Sequence, residues 1–173
     1  MKTIQPKPLI LCSVFAALTA ICSIISIPLP FSPVPVNLAL LSVYLAGGLL
    51  GARYGALSQL VYVLLGAAGA PVFHNLTGGM AILTGPTGGF IAGYIAAAFL
   101  VGLLSDKNLI LALISGLFAC FLLGTLWFIY ITGSNLQTAL MLCVVPFIPG
   151  DVFKILAAFF LIKKLRPLIN KIY

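Results

Sequence analysis

The chain has 173 residues, of which 62% are hydrophobic and only 6% are charged, and its mean hydropathy is +1.26. Soluble globular domains carry about 25% charged residues, so this composition excludes that class and indicates an integral membrane protein surrounded by lipid. The formal net charge of +7 comes from basic residues scattered over loop ends without a basic stripe, so nucleic acid is an unnecessary explanation for it.

Long apolar segments recur along the whole chain, separated by Pro, Gly or charged breaks. Runs that approach ~20 residues are typical of membrane-spanning helices and do not fit the ~10-residue alternation of an outer-membrane barrel. The predicted fold is therefore an all-α integral membrane protein with six transmembrane helices in a single membrane domain, 1–173. The predicted spans are 9–27, 36–50, 54–70, 88–104, 109–131 and 143–162.

The basic residues predict the orientation of the chain. Lys2 and Lys7 precede the first span, Arg53 follows the second, and Lys107 follows the fourth. Together with the basic residues after the sixth span, every Lys and Arg except Lys154 lies on one side of a six-span arrangement. By the positive-inside rule, both termini are predicted to be in the cytoplasm, which places the protein in the cytoplasmic membrane.

The first span contains a pair of small residues at helical spacing. Ala16 and Ala20 form a small-x-x-x-small pattern, which allows another helix to approach closely. The partner helix belongs either to a second protein or to the same chain, and packing within the chain is the more frequent case.

The three loops assigned to the outer side contain no Lys or Arg and are rich in Pro, Gly, Thr and Asn. In 28–35, alternating prolines predict an extended segment that acts as a stiff strap or lid. In and just after 71–87, glycine pairs at 78–79 and 88–89 flank a short apolar stretch, which indicates a re-entrant or cavity-lining segment. The third loop, 132–150, overlaps the start of the sixth span and ends in Pro149 and Gly150, directly before Asp151.

The second outer loop supplies the polar candidates. Its glycines, Gly79 among them, allow close backbone approach, and their N–H groups together with Asn75 and Thr87 are suited to hold a carboxylate. A plain re-entrant turn is the alternative. Aromatic residues such as Phe73 and Tyr94 are candidates for the walls of an apolar pocket, with an interfacial aromatic belt as the alternative.

Asp151 and Lys154 lie inside the last apolar segment of a chain that has only two acidic residues. A single charge near the bilayer centre costs at least roughly 2.5 to 3.5 kcal/mol, so such groups usually have a partner or a ligand. Three residues apart, they share one face of a helix. They form either a helix cap and ion pair, or a binding site in which Lys154 donates to the carbonyl of a cyclic urea or amide and Asp151 accepts its N–H.

The residue inventory argues against an enzyme. His74 is the only histidine, no catalytic triad or metal motif can be assembled around it, and it is interpreted as a loop residue. Two acidic residues leave little material for general acid–base catalysis. No cofactor and no metal site are predicted.

Three sequence blocks are specific when taken together: L-L-G-A-A-G-A-P-V-F at 64–73, G-P-T-G-G-F at 85–90 and P-F-I-P-G-D-V-F-K at 146–154. With these blocks the chain resembles the BioY family, the biotin-specific S components of energy-coupling factor (ECF) transporters. The resemblance implies an S-component bundle with a biotin pocket near the outer face, closed by the first and third loops. It further implies that Asp151, Lys154 and Asn75 contact the ligand, and that Ala16 and Ala20 contact the coupling protein.

The chain departs from the family pattern after P-V-P-V, where Asn37-Leu38-Ala39-Leu40 stands in place of T-L-Q-T. A ligand contact by the usual Gln is therefore lost, and the sequence leaves open whether Asn37 replaces it. The implied function is capture of biotin for an ECF module, which consists of a transmembrane coupling protein and two ATPases. The alternatives are an S component for another small vitamin and a small oligomeric channel.

Overall fold

The computed structural model of the protein describes residues 6–169, so Lys2 and Lys171, which enter the orientation prediction, lie outside the described residues. The helices are α1 Pro6–Ile24, α2 Ala39–Ala67, α3 Met80–Thr84, α4 Gly88–Leu104, α5 Leu109–Thr132, α6 Leu136–Cys143 and α7 Ile148–Ile169. The strands are β1 Ser26–Leu29 and β2 Ser32–Asn37. The predicted helical fold class is confirmed.

The long helices have the composition of membrane spans. Four helical segments of the described chain, 7–24, 39–67, 109–132 and 136–169, are long and apolar enough to cross a bilayer. The shorter α4 packs between α2 and α5. Large apolar side chains cover the outward faces, Phe118 of α5 and Phe160 of α7 among them, as expected where lipid replaces water as the solvent.

Helix α2 is broken at Gly51, where φ is 77° and ψ is 178°. This conformation is accessible to glycine and costly for other residues. A Cβ added to Gly55 would lie 2.8 Å from the Cα of Gly47, although eight residues of straight helix span about 12 Å. The arms 39–50 and 52–67 therefore turn back on each other, at the place where the sequence separates the predicted spans 36–50 and 54–70.

The first predicted loop, 28–35, forms most of an antiparallel β-hairpin between β1 and β2. Ser26 pairs with Asn37, Ile27 with Val36, and Leu29 with Ser32 across a bulge. The chain is extended, as the prolines require, but the strand pairing differs from the predicted unpaired strap. Proline lacks the N–H that a ladder uses, which is tolerated in this hairpin because each strand has a free edge.

The third predicted loop, 132–150, contains helix α6 and a 3₁₀ turn at Val145–Phe147, so the structure differs here from the prediction. The Oδ1 of Asn135 accepts from the backbone N–H of Thr138 at 2.8 Å and caps α6. Helix α7 then begins at Ile148, five residues later than the predicted span 143–162. Pro149 fits there because N–H groups of a first turn need no helical acceptor.

Candidate functional site

A cavity lies between the β-hairpin, the loop after α2, and helices α1, α2, α4, α5 and α7. The space free of protein atoms in and around it is about 560 Å³. Its walls are mainly apolar, with Leu40, Phe90 and Phe121 as examples, and its polar groups come from five different segments of the chain. A mainly apolar cavity with a few convergent polar groups is the usual form of a small-molecule site.

Asp151 and Lys154 both line this cavity from the first turns of α7. Lys154 Nζ donates to Asp151 Oδ1 at 2.7 Å, and the two side chains are 6% and 2% exposed. Among residues 6–169, Asp151 pairs with this ammonium rather than with a backbone N–H, which favours the ion pair over the helix cap. An ammonium has three donors and a carboxylate about four acceptor positions, so one mutual bond leaves both groups able to bind a ligand.

Three further predicted residues line the same cavity: Asn37, Thr87 and Tyr94. Asn37 Oδ1 accepts from the backbone N–H of Ala39 at 3.1 Å, which orients the side chain at the end of β2. Thr87 and Tyr94 are both buried, at the start of α4 and two turns further along it. The structure thus brings these three residues together with the ion pair around one space.

The sequence comparisons identify the group of proteins to which the chain is related. The family model described as the BioY family matches residues 1–171. The chain belongs to the BioY family. A probable biotin transporter BioY of Pyrococcus horikoshii is 38% identical over 162 residues, covering 94% of this chain and 98% of that protein. The biotin transporter BioY of Thermotoga maritima is 37% identical over 167 residues, covering 94% and 97%.

A solved structure supports the same relationship at the level of the fold. The crystal structure of the S-component for biotin from an ECF-type ABC transporter superposes with a TM-score of 0.86 at 30% identity. The match covers 96% of this chain and 94% of that one. The bundle is therefore the S-component fold that the resemblance implies.

In this BioY-family chain, Phe73, Gly79 and Asn75 hold the second loop in place and do not line the cavity. Phe73 is fully buried, with its ring edge-on to Tyr62 at 5.5 Å between centroids. The N–H of Gly79, where φ is 94°, donates to the carbonyl of Gly66 at 2.7 Å. Asn75 is exposed, and its Oδ1 accepts from Ser26 at 2.9 Å. These contacts position the second loop, and the predicted ligand contacts of the three residues stay predictions.

His74, which the sequence indicates only as a loop residue, lines the cavity beside Thr87. Its Nε2 lies 3.5 Å from the Thr87 hydroxyl. Its Nδ1 is buried and has no hydrogen-bond partner among the described residues. The signal that could have revealed it is its place in a loop already predicted to line a cavity.

The Ala16 and Ala20 pair of α1 is only partly accessible. Ala16 is 2% exposed and packs inside the bundle, while Ala20 is half-buried. The structure therefore supports the alternative of packing within the chain for Ala16, and the contact of the pair with a second protein stays a prediction. The exposed face of α1 instead presents Ser13 and Ala17, which are also four residues apart.

We expect the free energy of unfolding to decrease as the pH falls below about 6.5, and we assign this decrease to the protonation of His74. Burial lowers the pKa of His74 below its ordinary value of 6.5, because the charged imidazolium is poorly solvated there. Between the lowered pKa and 6.5, the unfolded chain binds more protons than the folded one, so the free energy of unfolding decreases with decreasing pH. This contribution is fully present above 6.5.

The measurement is the thermal unfolding midpoint of the detergent-solubilised protein between pH 8 and pH 5. His74→Gln, which cannot titrate, should show a smaller fall in midpoint over this range. Identical pH profiles for the two proteins would contradict the assignment.

Proposed function

We propose that this chain is a biotin-capturing S component, and that biotin binds in the cavity beside Asp151 and Lys154. The observation that carries the proposal is the buried ion pair in the wall of a cavity, in a member of a family whose named relatives are biotin transporters. A charged pair at this depth is costly. A polar ligand that takes up the remaining donors and acceptors offsets part of that cost.

The chemistry of the pair matches a cyclic urea. Lys154 donates to the ureido carbonyl oxygen, and Asp151 accepts from a ureido N–H, which gives two charge-assisted hydrogen bonds of complementary direction. The sulfur-containing ring of biotin is apolar and contacts the aromatic wall that Phe90, Tyr94 and Phe121 provide. Asn37 adds an amide at the end of β2, near the position where the family pattern has a Gln that this chain lacks.

The second polar region of the cavity suits the carboxylate of the ligand. His74 and Thr87 lie together where the second loop meets the start of α4. The Thr87 hydroxyl and one imidazole N–H of His74 can donate hydrogen bonds to a carboxylate, so no arginine is needed. The ligand would then lie with its ureido ring at α7 and its acid at the loop.

We infer that the partners are an ECF module of one transmembrane coupling protein and two ATPases, in the cytoplasmic membrane. The glycine-rich loop lacks the lysine of a phosphate-binding loop, so ATP hydrolysis is assigned to the partners and the chain acts as a non-enzymatic transport subunit. Both termini lie in the cytoplasm in this arrangement. Ser13 and Ala17, on the exposed face of α1, replace Ala16 as the small residues of the contact.

Direct titration of the purified protein with radiolabelled biotin tests the assignment. We expect a dissociation constant well below about 1 μM, equivalent to more than about 8 kcal/mol of binding free energy. Unlabelled biotin should displace the label, whereas thiamine and riboflavin at the same concentrations should not. Absence of binding tighter than micromolar, or equal displacement by another vitamin, would reject biotin as the substrate.

A further inference from the structure

A groove with basic residues lies at the far end of the bundle from the cavity. Asp151 and Arg166 are fifteen residues apart on α7, about 22 Å along a straight helix. The groove runs between the end of α7 and the α4–α5 turn, and the space free of protein atoms in and around it is about 770 Å³. Within residues 6–169, three cationic residues line it and are called here the basic cluster: Lys107, Lys163 and Arg166.

Arg166 is held firmly by groups of the protein itself. Its guanidinium donates to the carbonyl oxygen of Gly48 at 2.9 Å and to the Ser105 hydroxyl at 2.7 Å, and it pairs with Asp106 at 3.2 Å. The Gly48 carbonyl lies just before the Gly51 break in α2. Carbonyl groups at such a break lose their N–H partner within the helix and need another donor. Arg166 therefore fixes the groove and contributes charge, while its own donors are already used.

The two lysines of the basic cluster have free donors. Both are exposed, and within residues 6–169 neither forms a salt bridge. Lys163 Nζ lies 4.3 Å above the ring of Phe159, which keeps the ammonium near the groove. The only acidic residue in the groove lining is Asp106, whose side chain is 86% exposed, so three cations and one carboxylate leave a net charge of +2.

Apart from Ser105, the remaining lining of the groove is apolar, and it continues into the membrane-facing surface. Leu109, Ile162 and Pro167 line the groove itself. Exposed leucines extend this surface on the adjoining helices, Leu111 on α5 and Leu168 on α7. On α5, Leu109 and Leu111 follow Lys107 toward the middle of the helix. Basic groups beside an apolar helix surface match the headgroup and acyl chains of an anionic phospholipid.

We propose that this groove binds the headgroup of an anionic phospholipid. The lipid phosphate accepts hydrogen bonds from Lys107 and Lys163 beside the fixed charge of Arg166, and the acyl chains lie along α5 and α7. The N-terminal dipole of α5, which begins at Leu109, adds to the attraction for an anion. A lipid held there links the α4–α5 turn to α7 and stabilises the folded state by an amount that grows with the logarithm of the lipid concentration above its dissociation constant.

The test uses the purified full chain in a neutral detergent. Phosphatidylglycerol and phosphatidylcholine with identical acyl chains are added in parallel, and the thermal unfolding midpoint and lipid adducts by native mass spectrometry are recorded. We expect concentration-dependent stabilisation and discrete, saturable adducts with phosphatidylglycerol, and neither with phosphatidylcholine. Equal effects of the two lipids would overturn the proposal. An equal effect of soluble glycerol phosphate would overturn it as well, by showing a site for a free anion.

Matched variants locate the site. Lys107→Gln and Lys163→Gln should each weaken the affinity for phosphatidylglycerol about fivefold. Lys164→Gln, an exposed neighbour that does not line the groove, should leave it unchanged. Equal losses in all three variants would indicate general surface charge and overturn the site. Biotin affinity is measured on the same samples and should be unchanged, so failure of the lipid site and failure of the proposed function are separable.

Discussion

Lys154→Ala is expected to weaken biotin binding by about 2 to 3 kcal/mol, roughly 30-fold to 150-fold in Kd. The substitution removes the donor assigned to the ureido oxygen. It also leaves the Asp151 carboxylate, 2% exposed, without the ammonium at 2.7 Å. The measurement is the same radiolabelled biotin titration, carried out on the wild type and the variant in one detergent at pH 7.5. An unchanged Kd would mean that the ion pair has a structural role only.

Lys154→Ala also breaks a buried ion pair, and its effect on folding must be separated from its effect on binding. Removal of one partner of such a pair costs about 3 to 5 kcal/mol, whereas replacement of both by neutral residues is often tolerated. The double variant Asp151→Asn/Lys154→Gln is therefore expected to recover most of the thermal stability in the absence of biotin. It should still bind biotin weakly, because neutral hydrogen bonds replace charge-assisted ones. Recovery of both properties would contradict a ligand role for the charges.

The ion pair could be predicted from the sequence because its signal depends little on context. Charged residues are so costly in an apolar span that Asp151 and Lys154 require a partner wherever α7 lies in the bundle. Their spacing of three residues then places them on one face of a helix. The helical class follows in the same way from composition, because lipid leaves helices as the way to satisfy the backbone in long apolar segments.

The direction of individual loop residues could not be predicted. Phe73 and His74 are consecutive, yet Phe73 packs into the core and His74 lines the cavity. Their directions depend on the 3₁₀ turn His74–Leu76, in which Asn75 and Leu76 both have positive φ. Positive φ at a residue other than glycine is uncommon and has no reliable sequence signal. For this reason the sequence indicates Phe73 and Asn75 as binding candidates, whereas His74 is the residue of this loop that lines the cavity.

The face of α1 that points into the bundle could not be predicted from the sequence either. Successive residues of a helix point about 100° apart, so Ala16 and Ala17 lie on different faces. In a soluble protein, polar residues would mark the outer face, but here both faces of the helix are apolar. The small-x-x-x-small pattern indicates close helix packing without indicating the partner. In the structure Ala16 is buried in the core cluster and Ala17 is exposed.

Gly47→Val is expected to destabilise the protein by about 3 kcal/mol or more, because α2 and α4 approach too closely at this point for a side chain. A Cβ on Gly47 would overlap the carbonyl oxygen of Ala98 and would lie 2.9 Å from the Cβ of Val101. These atoms belong to the backbone or are attached directly to it, so no rotamer change relieves the contact. The helices must separate, and the thermal unfolding midpoint in detergent measures the cost.

Gly150→Ala is the matched control, since Gly150 also lies within a helix. No heavy atom lies within 4 Å of the position that its Cβ would occupy. Alanine has a higher helix propensity than glycine by up to about 1 kcal/mol, so this variant should be as stable as the wild type or slightly more stable. Valine and alanine differ in helix propensity by less than about 1 kcal/mol, so a difference of about 3 kcal/mol between the two variants comes mainly from the close contact. If Gly47→Val unfolds at the same temperature as Gly150→Ala, the helices have room to move apart, and the close approach does not contribute to stability.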